Sequence, residues 1–451
     1  MTAVALGAQV WRRGFGGEPQ HRLTVSAMAR VVVTSLGYRG DVFAYVPMAS
    51  ELARRGHDVT YVVPREFHRV FVGLGFRCAA PAFDIGPTLL DHHAKLVRHF
   101  GGLRMVRHLF VHLLAPHLDA MFEAVDAEVA SADVVISSQL ASAVTSAVCE
   151  RRGVPMILGD VFPMHVPSAF TPPQGVPNLG PRVTALVWAG GRRVMPKAQP
   201  GAGAIRNFRR RLGLQPDGWS MLDTGAALTL GLASQHYVDR QPDWPSTYRL
   251  VGFSPWSGPT DAGLPEEVST FLEAGPPPVI ITQGTAAASA RTDFFAVATD
   301  AVARAGGRSI LLTSNEPNAQ ELRSRIAGDH TAIWPFVPLK LLLNRSRGVI
   351  HAGGFGTTAL TVSGGVPSAI SPCFNDSYWQ AQRHEQLGIG VRIRRRNLDA
   401  AVKRLVTDEE LRRRARTLGD LVAQEDGTRT ASDEVETFLA TGEAARAGIP
   451  R

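Results

Sequence analysis

The chain has 451 residues, of which 45% are hydrophobic and 20% are charged, and its formal net charge is +8. This length exceeds what one hydrophobic core usually serves, so we expect two domains. No apolar stretch approaches the roughly 20 residues that a membrane-spanning helix needs, which argues against an integral membrane protein. The three cysteines are far apart and lack zinc or redox spacing, so the sequence predicts a reducing, cytoplasmic setting (Cys78, Cys149 and Cys373).

Charge and composition distinguish two further stretches. Residues 391–416 hold ten Arg or Lys and four acidic residues, a difference of +6. We interpret this stretch as a solvated helical face, and contact with an anionic partner or a membrane surface is the alternative.

Residues 1–27 contain no apolar core long enough for a secretory signal. We therefore expect either a disordered extension or a translation start assigned too far upstream.

From Arg30 onward, short β-branched runs alternate with longer amphipathic segments. The runs RVVVTSL, HDVTYVVP, DVVISS and VPMILGD are predicted strands, and AYVPMASELARRG and SAVTSAVCERRG are predicted helices. Residues 161–203 are rich in proline and glycine and are predicted to form loops over a cleft. A short helix at 204–216 and the strands ALTLGLA and YRLVGF follow. This alternation is typical of a doubly wound parallel sheet.

A second alternation begins after a segment that is dense in Pro, Gly and Ser. It contains the strand PPVIITQG, the helix FFAVATDAVARAG and the strand RSILLTS, followed by TAIWPFVP, RGVIHAGG, GVPSAIS and a basic helical region. We therefore predict an α/β chain with two Rossmann-like, doubly wound domains that face a central cleft. The predicted parts are an N-terminal domain at 28–250, a linker at 251–266, a C-terminal domain at 267–430, and a terminal helix and tail at 431–451 that could return to the N-terminal domain.

A glycine-rich turn follows the strand-like run GVIH. Gly353, Gly354 and Gly356 come directly before Thr357 and Thr358, where a helix-compatible segment begins. The unpaired N–H groups at the start of a helix, together with its partial positive charge, can bind a phosphate. The stretch is neither a Walker A sequence nor a Rossmann dinucleotide fingerprint, and an ordinary tight turn between a strand and a helix is the alternative.

The segment IHAGGFGTTALTVSGGVP, followed by NDSYWQAQRHEQLGIG, resembles the nucleotide-sugar signature of family-one glycosyltransferases of the GT-B fold, of the bacterial antibiotic, macrolide and sterol type. SLGYRGDVFAYVPMASELARRGHDVTYVVP is similar to the start of these enzymes, and DRQPDWPSTYRLVGF to their link into the donor domain. The three matches cover nearly the whole chain from Met28. The resemblance implies transfer of a hexose or deoxyhexose from a UDP- or dTDP-sugar to a hydroxyl of a small, apolar natural-product or lipid-like acceptor, with inversion at the anomeric carbon.

The same resemblance implies roles for single residues near the predicted strand ends. Asp41 corresponds to the base that takes the acceptor proton, and an N-cap of the following helix is the alternative. Thr285, His351 and the glycine turn would contact the diphosphate, whereas Thr285 could also be a plain helix cap and His351 a core histidine. Phe336 would stack on the nucleotide base and Val337 would bond its edge through the backbone, whereas Phe336 could also be a core residue.

The sugar-binding half of the signature departs from the family pattern at one position. Asp376 matches the acidic residue that holds sugar hydroxyls, and Gln380 is a further candidate. Ser377 stands where the family usually has glutamine, and a serine hydroxyl reaches less far and offers different donors.

No metal and no other cofactor is expected. Six histidines lie between residues 92 and 117, and His108 and His112 have helical i, i+4 spacing, but no acidic third ligand stands at a supporting offset. No Asp-x-Asp pair of the metal-dependent nucleotide-sugar enzymes is present between strand and loop. We interpret RMVRHLFVHLLAPHLDAMF as a helix on the acceptor side. The expected partners are the donor and the acceptor, without nucleic acid and with at most peripheral membrane contact, for a monomer or a homodimer.

Two other functions are consistent with the residues. One is a nucleotide-sugar-binding partner protein without transfer activity, for which Ser377 is the best argument. The other is a nucleotide-sugar epimerase or hydrolase of the same fold, although such enzymes usually need additional carboxylates in the cleft.

Overall fold

The computed structural model describes residues 28–37, 39–79, 107–173, 175–260, 263–284, 292–326, 328–373, 375–394 and 396–441. Within these residues the chain forms two α/β domains, each built on one parallel sheet, as the alternating pattern predicts. The N-terminal sheet has the strand order β3-β2-β1-β4-β5-β6-β7 and the C-terminal sheet the order β10-β9-β8-β11-β12-β13. Both orders reverse direction at one point, which is the mark of a doubly wound sheet.

The strands are short and almost entirely buried. In chain order they are β1 Arg30–Thr34, β2 Asp58–Val62, β3 Arg77–Ala79, β4 Val134–Ser138, β5 Met156–Asp160, β6 Leu228–Gly231, β7 Tyr248–Leu250, β8 Val279–Thr282, β9 Ser309–Leu312, β10 Thr331–Trp334, β11 Gly348–His351, β12 Ser368–Ile370 and β13 Gly390–Arg392.

The helices connect consecutive strands and lie on both faces of each sheet. They are α1 Arg39–Val42, α2 Val46–Arg54, α3 His68–Gly73, α4 Leu118–Val129, α5 Ser142–Arg152, α6 Pro181–Ala198, α7 Ala202–Arg211, α8 Glu266–Glu273, α9 Thr292–Arg304, α10 Glu316–Arg325, α11 Lys340–Leu343, α12 Phe355–Ser363, α13 Asn375–Leu387, α14 Leu398–Thr407, α15 Glu409–Val422 and α16 Gly427–Thr441.

Each sheet separates two layers of apolar side chains. In β1, Val31 and Val33 belong to one buried cluster, while Val32 belongs to the cluster on the opposite face. Ile280 and Ile281 of β8 divide in the same way between the two clusters of the C-terminal domain. Because successive side chains of a strand point to opposite faces, these runs are apolar without alternation, as strands covered by helices on both sides must be.

The two domains are joined by a second crossing at the end of the chain. α16 packs on α2 of the N-terminal domain, where the Arg55 guanidinium lies 2.7 Å from carboxylate oxygens of both Asp433 and Glu436. At the start of α16, the Thr428 and Ser254 hydroxyls are 2.6 Å apart, so the returning chain lies directly on the linker. The linker and α16 therefore cross the domain boundary side by side.

One prediction about local structure is wrong. Residues 161–203 are not only loops, because they contain the 18-residue helix α6. Proline at its first position suits a helix start, but Gly190, Gly191 and Pro196 are residues that usually disfavour a helix interior. Trp188 compensates by packing inward, where its indole N–H donates to the Thr171 carbonyl at 2.8 Å.

Several arginines of the basic region near the C-terminus pair with acidic residues nearby in the chain. Arg404 of α14 pairs with Asp408 at 2.9 Å, and Arg413 of α15 pairs with Glu410 at 2.7 Å. These i, i+3 and i, i+4 pairs fit a solvated helical face. Among the helices that the structure describes, none has the length and apolar character needed to cross a bilayer.

Candidate active site

The two sheets place their strand reversals at the edge from which the candidate residues come. In the N-terminal sheet the reversal lies between β1 and β4, and the segment that follows β1 carries Asp41 on α1. In the C-terminal sheet it lies between β8 and β11, which lead into Gly284 and His351. Open α/β sheets bind ligands in the crevice at such a reversal, at the carboxyl ends of the strands. Both domains therefore contribute their predicted site residues where the topology opens a crevice.

The glycine turn after β11 is held in a conformation that strongly favours glycine. Gly353 has φ +85°, and a Cβ on it would stand 2.9 Å from both Ile370 Cγ2 and Ser377 Cβ. The next two glycines differ, because a Cβ on Gly354 or Gly356 would meet no described atom within 4 Å. Gly353 is thus needed for the backbone conformation of the turn, while Gly354 and Gly356 leave open space at the N-terminus of the following helix.

The helix that follows, α12, begins without a side-chain cap. Gly354 is its N-cap residue, and within the described residues no side chain accepts from the first N–H groups. Those N–H groups and the positive end of the helix dipole form a ready site for an anion.

His351 lies beneath this turn as a neutral imidazole. Its side chain is buried, and the Gly353 N–H donates to Nδ1 at 3.1 Å, so the ring proton resides on Nε2. Burial, with a smaller effect of His384, lowers the pKa of His351 to about 3. Nε2 has no hydrogen-bond partner among the described residues, and neither does the buried Thr358 hydroxyl of α12. Two polar side chains at the turn thus lack partners within the described protein, an expensive arrangement unless a ligand or water completes it.

Two carboxylates from different domains interact electrostatically. Asp376 lies in the first turn of α13, and its pKa is raised to about 6, first by burial and then by the negative charge of Asp41. The backbone N–H groups of Asp376 and Ser377 bond to the carboxylate and partly oppose this rise. Asp41 itself lies against the strand-end turn, since a Cβ on Gly37 would stand 2.5 Å from Asp41 Oδ2. The predicted base and the predicted sugar ligand are therefore neighbours in space.

The other two predicted sugar ligands are engaged inside the protein. Ser377 is fully buried and its Oγ accepts the Cys373 N–H at 2.9 Å. Gln380 is buried as well, and its Oε1 accepts from the Tyr237 hydroxyl at 2.6 Å. In this arrangement neither side chain presents these groups to the cleft, and their contact with a sugar stays a prediction.

The predicted nucleotide-base residues divide between surface and core. Phe336 is 54% exposed, so the alternative that it is a core residue is wrong. Its ring lies over the linker, where a Cβ on Gly258 would stand 3.0 Å from Phe336 Cζ. Val337 is buried in the C-terminal core, which leaves its backbone as the group that could bond a base. Thr285 lies outside the described residues.

Several residues of the domain boundary could not be predicted from the sequence. The Tyr237 carbonyl accepts from Arg383 Nε at 2.6 Å, and the Trp379 ring packs edge-on against Phe162 with centroids 4.4 Å apart. These pairs are far apart in the chain, so only the packing of α13 on the N-terminal domain reveals them. Asp160 is different, because an acidic residue at the end of the apolar run MILGD can be recognised in the sequence as a candidate. Burial raises the pKa of Asp160 to about 7, and the Tyr248 hydroxyl donates to its carboxylate at 3.0 Å.

The two histidines considered as metal ligands, His108 and His112, are close to each other. The His108 and His112 rings lie 4.8 Å apart at the helical segment that leads into α4. Among the described residues, no group of three or more His, Cys, Asp or Glu side chains is arranged to hold a metal ion.

Sequence comparisons identify relatives along most of the chain. Residues 300–436 match the model of the erythromycin biosynthesis protein CIII-like C-terminal domain. The chain is 28% identical to the O-mycaminosyltylonolide 6-deoxyallosyltransferase of Streptomyces fradiae, over 91% of this chain and 98% of that one. It is also 28% identical to the vancomycin aglycone glucosyltransferase of Amycolatopsis orientalis, over 80% of this chain and 85% of the relative.

Structural comparisons give the same fold. Spinosyn forosaminyltransferase SpnP superposes with a TM-score of 0.67 at 17% identity, covering 92% of this chain and all of the other. The glycosyltransferase VinC, solved in complex with dTDP, superposes with a TM-score of 0.64 at 19% identity, covering 92% of this chain and all of the other. The two-domain architecture is therefore the GT-B fold, as the sequence resemblance implies.

Proposed function

We propose that this chain, a glycosyltransferase of the GT-B fold, moves a hexose or deoxyhexose from a dTDP- or UDP-sugar to a hydroxyl of a small apolar acceptor, with inversion. One observation carries the proposal. The uncapped start of α12 and the unpartnered Nε2–H of His351 lie at the strand reversal of one domain, and a pair of acidic side chains from the two domains lies in the same cleft.

The donor diphosphate would rest against the glycine turn. Its oxygens accept from the first N–H groups of α12 and from Nε2 of His351, so each of these donors gains the acceptor that it lacks. Because the pKa of His351 is lowered to about 3, the imidazole acts as a neutral donor throughout the neutral pH range. These groups stabilise the negative charge that grows on the diphosphate when the bond from the anomeric carbon to it breaks.

The acceptor would enter from the N-terminal domain, where Asp41 serves as the base. The Asp41 carboxylate takes the hydroxyl proton, the oxygen forms a bond to the anomeric carbon, and the electron pair of the breaking bond leaves with the diphosphate. Attack from the face opposite the leaving group inverts the configuration. We assign Asp376 to the sugar hydroxyls, since it is the acidic neighbour of Asp41 in the donor domain.

The sugar is the least constrained part of the donor. We expect a deoxyhexose, because the Ser377 hydroxyl and the Gln380 side-chain oxygen bond within the protein and leave Asp376 as the main ligand for hydroxyls. The name of the deoxyallosyltransferase relative and the dTDP complex of VinC favour a dTDP-linked donor. The same donors at the glycine turn neutralise the diphosphate without a metal, so we expect EDTA to leave the rate unchanged.

The test combines binding and turnover. Calorimetry with dTDP, UDP and GDP identifies the nucleotide, and mass spectrometry with the corresponding sugar donors and a panel of apolar acceptors identifies the product. D41N should keep nucleotide affinity and lose turnover by a factor of about 100 or more. Donor binding without any product, unchanged by D41N, would instead indicate a non-catalytic binding protein. Rapid donor consumption without acceptor would indicate an epimerase or hydrolase.

A further inference from the structure

The outer side of α6 carries an apolar row that no described residue covers. Its large side chains are among the most exposed in the described part of the protein, with Leu186 at 72% and Val194 at 57% exposure. Val183 and Val187 lie on the same side, and Leu179 extends the row just before the helix begins. We refer to these five residues as the α6 row.

This row is not required by the fold of α6. The opposite side of the helix is already packed, because Thr184 and Trp188 are buried. Val183, Val187 and Val194 follow one another at i, i+4 and i+11, which keeps them on one side of a helix with 3.6 residues per turn. A continuous exposed apolar row of this kind marks an interaction site more often than chance.

The charged residues of the segment that contains the row are all basic. From residue 181 to residue 211 the chain holds eight Arg or Lys and no Asp or Glu. Five of the eight pair with acidic residues outside the segment, namely Arg192, Lys197, Arg206, Arg209 and Arg211. On α6, Arg182 and Arg193 are exposed and have no ion pair among the described residues, whereas Arg192 pairs with Asp223 at 2.8 Å. The segment differs in this from α15, where Arg413 and Arg414 both pair with Glu410 of the same helix.

We propose that the α6 row and its flanking arginines bind an anionic lipid surface. Apolar side chains enter the boundary between headgroups and acyl chains, and cationic side chains beside them interact with anionic headgroups. The charge argues against a second copy as occupant, since an isologous contact through this face would bring the exposed Arg182 and Arg193 side chains of two copies together.

The position of α6 suggests that lipid binding would help an apolar acceptor to reach the active site. This role of the binding rests on the proposed transfer activity. Gln199 directly follows α6, and its side-chain oxygen accepts the Met221 N–H at 3.0 Å. The Met221 carbonyl accepts in turn from Gln139 at 2.9 Å, and Gln139 directly follows the carboxyl end of β4. The C-terminal end of α6 thus adjoins the cleft edge of the N-terminal sheet, where an apolar acceptor dissolved in a membrane could enter.

The experiment measures binding alone, without donor or acceptor. The full chain is sedimented with vesicles of phosphatidylcholine and with vesicles containing about 30% phosphatidylglycerol. We expect binding to the anionic vesicles only, weakened by salt between about 0.05 and 0.5 M. The double variant L186E/V194E should lose at least about tenfold in affinity, and R182Q/R193Q about fivefold. The control V297E adds one negative charge, half of that in L186E/V194E, at an exposed valine of α9 and should bind as the native chain does.

Circular dichroism of every variant shows whether the fold is kept, as expected for exposed positions. Absence of vesicle binding overturns the proposal. It does so even if light scattering shows that L186E/V194E disrupts a dimer or a protein complex, since the row would then bind protein and not lipid. Equal binding to both vesicle types, or equal loss in V297E and L186E/V194E, overturns it as well. Because no sugar transfer is measured, failure of the proposed function leaves this result unaffected.

Discussion

Replacing Asp376 by asparagine should stabilise the protein at high pH while impairing its activity. Burial and the negative charge of Asp41 raise the pKa of Asp376 from 3.8 to about 6. Ionisation of this side chain therefore costs the folded state about 3 kcal/mol relative to the unfolded chain, since one pKa unit corresponds to about 1.4 kcal/mol. The native state binds more protons than the unfolded state in this range, so this contribution to stability is present below about pH 4 and is lost as pH rises through about 6.

Asparagine removes the charge but keeps one oxygen that can accept from the backbone N–H groups. We expect D376N to exceed the native chain by about 1 to 3 kcal/mol in free energy of unfolding at pH 8, and to show no gain at pH 4. Urea unfolding of the native chain, D376N and D41N at both pH values measures this. D41N should show a smaller gain of the same sign, because it lowers the pKa of Asp376.

The control is D420N, which removes a carboxylate from an exposed position of α15. The reasoning is refuted if D376N has the same stability difference from the native chain at pH 4 and pH 8, or if D420N shows the same pH-dependent gain. A stabilised D376N with full transferase activity would keep the electrostatic explanation and remove Asp376 from the sugar site.

Three further predictions concern the remaining parts of the site. F336A should weaken dTDP or UDP binding by about 1 to 2 kcal/mol in calorimetry with unchanged stability, because the exposed ring packs little in the fold; unchanged affinity contradicts base stacking. G353A should reduce the free energy of unfolding by at least about 1 kcal/mol, because the added Cβ strains the left-handed backbone and contacts Ile370. G356A should keep the stability of the native chain and weaken diphosphate binding. Equal stability of the two variants would contradict these different roles. Y237F should lower stability by about 1 to 3 kcal/mol by leaving Gln380 without its buried donor, and an unaltered unfolding midpoint would show that the contact does not hold the domains together.

The sequence by itself determined the architecture and the order of its elements. Short, β-branched apolar runs such as VVVTS and VIIT are typical of strands buried on both faces, and the amphipathic segments between them are typical of covering helices. The position of His351 and of the glycine turn after β11 follows from the same local pattern, because a parallel strand ends at the cleft edge. Both are local properties, encoded within a few residues of the chain.

Tertiary structure decided which of the predicted residues share a site. Asp41 and Asp376 are more than 300 residues apart, and only the docking of the two domains makes one raise the pKa of the other. The same docking buries Gln380 against Tyr237, although its motif position suggests a sugar ligand. α6 forms despite its glycines and proline because Trp188 packs inward, and it leaves an apolar row outside. Local propensity costs at most a few kcal/mol, and packing between distant segments can outweigh it in either direction.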